Sequence, residues 1–91
     1  MEKLAVSLSG HDRGTLYVIL SEREDRVFLA DGHTRTFAHP KLKNPRHVQA
    51  VCYLSENVAD ALRQAATDAD LVYVLRLYRS EQKRNKNSGR N

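Results

Sequence analysis

The spacing of apolar positions changes near residue 55. Before that point it follows period two. Leu4, Val6 and Leu8 alternate with other residues over 3–9, so all three fall on one side of a strand. Leu16, Val18 and Leu20 share a face of a second run over 15–20. Residues 21–26 are a polar connection, and 27–30 form a short apolar strand. Asp31 and Gly32 both tolerate positive φ and read as a hairpin turn, which predicts a return strand over 33–38. Val48, Ala50, Cys52 and Leu54 alternate again over 48–54. Five short strands in succession favour a small barrel, because closing the sheet leaves fewer open edges.

After residue 55 the period becomes helical. Ser55 is an N-cap, and Val58, Ala61, Leu62 and Ala65 recur at i, i+3, i+4 and i+7. Thr67 and Asp70 frame a variant capping box, with Asp in place of Glu or Gln. It opens a second helix whose stripe is Leu71, Val74, Leu75 and Tyr78. Both stripes must cover a surface, and the barrel is the one on offer. From Gln82 onward there is no apolar residue, and the stretch reads as a disordered tail. The predicted organisation is therefore mainly β. A barrel over 1–54 precedes two short helices over 55–81, packed on it, and a basic tail over 82–91.

The punctuation of the first half carries chemistry. Gly10 and Gly14 enclose His11, Asp12 and Arg13 between the first two strands. Two glycines around an Asp read as a turn. Pro40 and Pro45 bracket a loop over 39–47, and neither should lie in a central strand, since proline offers no donor to a ladder.

Charge changes the picture more by its distribution than by its total. The 91 residues carry a net charge of +4 and a sequence pI near 9.5. Residues 1–32 and 49–75 are net acidic. Residues 33–48 hold Arg35, Lys41, Lys43 and Arg46 without an acid, and 76–91 hold six basic groups against Glu81. Two basic blocks separated by acidic ones are the form a phosphate footprint takes.

The residues around Gly10 and Gly14, running from Val6 to Leu20, resemble a KOW motif, a strand, a glycine turn and a second strand. Gly14 matches the glycine that this turn requires, because a Cβ would oppose its backbone conformation. Asp31, Gly32 and Arg35, then Pro40, Lys41, Lys43, Pro45, Arg46 and His47, extend the likeness to short bacterial KOW-domain proteins related to archaeal and eukaryotic large-subunit ribosomal proteins. The resemblance covers residues 4–54 well and loosens through the helices. It implies an SH3-like barrel that binds RNA, usually ribosomal RNA, as part of the translation apparatus. The turn departs from the pattern, because Asp12 offsets Arg13 where KOW turns often carry lysines. That shifts the expected attraction to the loop at 39–47.

The expected RNA-binding residues are His11, Arg13, Tyr17, Arg35, Lys41, Lys43, Arg46 and His47, with Gly10, Gly14 and Gly32 forming turns. Tyr17 is the stacking candidate, because it points away from Leu16 and Val18. The tail cations Lys83, Arg84, Lys86 and Arg90 add affinity or only solubility. The second reading is a protein-interaction module that contacts a ribosomal protein or the transcription machinery, to which the acidic stretch 49–75 lends support. No metal-ligand spacing or catalytic constellation emerges, so neither an enzyme nor a cofactor is expected. The single Cys52 reads as a small core residue. With no signal peptide and no long apolar stretch, the expected location is cytoplasmic.

Overall fold

The computed structural model describes residues 1–88. Its sheet has five antiparallel strands, β1 (Lys3–Ser7), β2 (Leu16–Glu22), β3 (Val27–Ala30), β4 (Lys41–Lys43) and β5 (Val48–Ala50), in the order β4-β3-β2-β1-β5. The sheet curls into a half-barrel. Two helices follow, α1 (Glu56–Gln64) and α2 (Asp68–Ser88). A 3-10 turn, Pro45–His47, joins the two edge strands, so β4 and β5 approach one another across the open side.

Both faces of the sheet are covered. Leu4, Leu16, Val18 and Ala30 lie on one face, against Val58 and Leu62 of α1 and Leu71, Val74 and Leu75 of α2. Each fully buried Leu or Val is worth roughly 1.5–3 kcal/mol, so the helices supply a large share of the core. Ala5, Tyr17, Ile19, Val27 and Leu29 point the other way, into the curl. The register of β2 against β3 shifts between Ile19 and Ser21, which leaves Leu20 as an extra residue. Such a bulge bends the strand and raises its twist, which helps the sheet wrap around its concave side.

The fourth strand differs from the prediction. Residues 33–38 are a loop. The Asp31 carboxylate accepts the N–H groups of His33 and Arg35, and the Arg35 carbonyl accepts those of Asp31 and Gly32. A side chain that captures backbone donors in this way competes with a ladder. Phe37 then donates its N–H to the Asp68 carboxylate at the start of α2. The chain pairs with β3 only after Pro40, at Lys41–Lys43. Gly32, with φ +83°, sits against α2, where an added Cβ would overlap the Asp68 carbonyl oxygen and come 2.8 Å from Val72 Cγ2.

Three further expectations change. Leu8, expected on the apolar face of β1, is exposed beyond the end of that strand. Strand β5 ends at Ala50, and Val51 and Leu54 turn toward the helix-covered core instead of Cys52, which is exposed. The chain leaves the sheet there to reach α1, and the period-two phase is lost. The second helix is also not short. It spans 21 residues to Ser88, past Gln82. No Gly or Pro interrupts residues 71–87, and Gln, Lys and Arg are good helix formers. The tail cation Arg90 lies outside the described residues. The predicted caps form: Ser55 Oγ accepts from Val58 N–H, and Thr67 and Asp70 exchange hydrogen bonds.

Candidate nucleic-acid interface

The turn between β1 and β2 is built around Asp12. Its Oδ1 accepts a hydrogen bond from Ser7 Oγ at 2.9 Å and lies 3.0 Å from Lys43 Nζ, and its Oδ2 accepts from the Tyr17 hydroxyl at 2.8 Å. Lys43 also donates to the Ser9 carbonyl oxygen at 2.9 Å. One carboxylate thus ties the turn to β1, β2 and the edge strand β4. The side chains of Lys43 and Asp12 are only 10% and 15% exposed. Partial burial pushes the Asp12 carboxyl upward. The hydrogen bonds from Tyr17, Lys43 and Ser7, together with the Lys43 charge, outweigh it and hold the pKa at about 2. Burial and the neighbouring Asp12 carboxylate push the Tyr17 phenol well above its ordinary range, and it stays a donor.

This cluster corrects three expectations. Tyr17 does point away from Leu16 and Val18, but the curl encloses that side, and Tyr17 is 4% exposed. It is not available for stacking. Lys43 shares a face of β4 with Lys41, directed toward the turn, and its charge is spent on Asp12. Asp12 consequently does not offset Arg13. The acid pairs with Lys43 and not with its neighbour in sequence, because the curl brings the edge strand that carries Lys43 to the turn. The one signal in the sequence was an Asp framed by two turn glycines.

The remaining candidates divide into two groups. The Leu8 N–H donates to the His47 carbonyl oxygen at 2.8 Å, and Lys43 reaches Ser9, so the turn and the 3-10 segment lie side by side. Exposed His11 and Arg13 come from the first, and exposed Arg46 and His47 from the second. Gly14 has φ +87° with open space around it, so the turn demands its conformation and not its size. Asn44 caps the 3-10 turn by accepting from Arg46 N–H, and Pro45 fixes its first residue. Neither Arg13 nor Arg46 has a salt-bridge partner among the described residues. Lys41 is half-buried on the edge strand. Arg35 is half-buried in the loop that docks on α2, and its charge still reaches the Tyr17 phenol.

Among the described residues, no three His, Cys, Asp or Glu side chains converge as metal ligands. Among those residues, no helix is long and apolar enough to cross a membrane. Compared with protein-family models and with curated proteins, the sequence matches none.

Proposed function

We propose that this chain is an RNA-binding protein of the translation apparatus, an SH3-like barrel of the KOW kind that holds ribosomal RNA by its phosphates in the cytoplasm. The observation that carries the reading is the pairing of Asp12 with Lys43. It takes the acid of the turn out of competition for Arg13, which like Arg46 has no salt-bridge partner among the described residues, beside exposed His11 and His47. Charges with no internal partner on two conformationally restricted segments meet phosphates at low ordering cost. The strand order and the 3-10 turn between the edge strands support a barrel over a flat sheet. The positive φ of Gly14 agrees with the KOW turn.

The test is a salt titration of binding to end-labelled fragments of large-subunit ribosomal RNA. Each lost phosphate contact lowers the slope of log K against log salt by about 0.7–0.9. Arg13→Gln with Arg46→Gln should therefore make it shallower by roughly 1.4–1.8. An unchanged slope removes the rim from the interface. Nuclease-resistant association with a ribosomal protein would favour the protein-interaction reading instead.

A further inference from the structure

Helix α2 carries a second basic surface that the barrel rim does not use. Val72, Arg76, Arg79 and Lys83 follow one another at i, i+4, i+7 and i+11, which aligns them along one side of the helix. Gly32 lies against Asp68 and Val72 of α2, so the loop carrying His33 and Arg35 rests on this line one turn before Arg76. Arg76, Arg79 and Lys83 are exposed. None has a salt-bridge partner among the described residues. They span about 10 Å of helix axis.

A cavity of about 330 Å³ opens at the near end of this line, between Asp31, His33, Val72, Leu75, Arg76 and Arg79. Asp31 is the acid in its lining. Its Oδ1 is occupied by the N–H groups of His33 and Arg35, and two guanidinium groups outnumber it. Leu75 and Val72 form an apolar floor, so a charged guest would meet the arginines in a medium poorer than bulk water in screening. Arginine presents a planar fork of donors that matches phosphate oxygens two at a time.

We propose that this ridge is a second RNA-contact surface, with one backbone phosphate seated between Arg76, Arg79 and His33 and the strand continuing along α2 to Lys83. The proposal rests on the RNA-binding reading above. It adds a contact surface built from α2 and the 31–35 loop, which shares no residue with the rim. The near end of the ridge is anchored before RNA arrives, because α2 buries Leu71, Val74 and Leu75 beside Arg76. There the ordering cost of binding falls mainly on the side-chain ends.

The experiment compares four proteins on the same labelled ribosomal RNA fragments by fluorescence anisotropy between low and moderate salt. They are wild type, Arg76→Gln with Arg79→Gln, the rim pair Arg13→Gln with Arg46→Gln, and Arg63→Gln as a control. Arg63 is exposed on α1 and paired with Asp60. Glutamine keeps the helix, which circular dichroism checks. The ridge pair should lower the slope by roughly 1.4–1.8 and weaken binding tenfold or more at 0.1 M salt, while Arg63→Gln leaves the slope unchanged. A ridge pair that binds like wild type, while the rim pair weakens, overturns the ridge and leaves the RNA-binding reading standing. A control that weakens binding as much per charge as the ridge pair also overturns it, since net charge alone would then explain the effect. If the ridge pair weakens and the rim pair does not, the ridge stands and the rim fails. Failure of wild type to bind RNA at low salt overturns both.

Discussion

Replacing Asp12 with Asn tests the polar closure of the half-barrel. The substitution keeps size and turn preference and removes the charge that Lys43, Tyr17 and Ser7 share. The magnitude follows by two routes. Lowering the Asp12 pKa from 3.8 to about 2 corresponds to about 2 kcal/mol of folding free energy at neutral pH. Separately, stripping the partner from a buried ion pair costs about 3–5 kcal/mol. The lysine stem can swing toward water from a site 10% exposed, which reduces that to about 2–4 kcal/mol. The melting temperature should fall by about 10–20 °C at pH 7. The sign of the pH dependence is set by a depressed pKa. The contribution is present above the unfolded value of 3.8 and is lost as pH falls through the folded value of about 2. Urea unfolding by circular dichroism from pH 7 down to pH 2 should therefore show wild type and Asp12→Asn converging below pH 4. Lys43→Met should couple with Asp12→Asn, the double variant losing less than the two singles together. A gap between wild type and variant that stays constant to pH 2, or a loss under about 0.5 kcal/mol at pH 7, would refute the reasoning.

Two glycines with nearly the same φ should respond differently to alanine. Gly14→Ala meets open space, and only the left-handed backbone opposes it, at about 1–2 kcal/mol. Gly32→Ala adds an overlap with backbone of α2 and should cost clearly more, with loss of the loop–helix contact visible in amide exchange at residues 31–37. Equal costs would show that the loop does not dock on α2. Tyr17→Phe removes one hydrogen bond to a charged acceptor and should lower stability by about 1.5–3 kcal/mol. In the proposed RNA binding, its affinity, measured well below its melting temperature, should match wild type, since the ring is enclosed. A large affinity loss there would restore a direct role for the ring.

Much of the secondary structure was legible in the sequence because it is local. Alternation at Leu4 and Val6 and at Leu16 and Val18 specifies strands with one buried face. Ser55 and the Thr67–Asp70 pair mark helix starts through bonds spanning three residues. The fourth strand was not legible. The Asp31 side chain competes for the same backbone donors, and Phe37 N–H finds its acceptor 31 residues away in α2. Propensity along the chain carries no information about such a partner.

For the candidate interface, the sequence by itself determined which residues are basic, that the turn needs Gly14, and that the prolines stand outside the central strands. Tertiary structure decided which of those charges are free. The curl turned the second face of β2 inward, so Tyr17 became a core residue. It brought β4 to the turn, so Asp12 neutralised Lys43 and released Arg13. It seated the 31–35 loop on α2, so Arg76 and Arg79 gained a cavity wall. The availability of a charge depends on its nearest opposite charge in space. In this chain Asp12 and Lys43 are 31 positions apart, and only the closure of the sheet makes them neighbours.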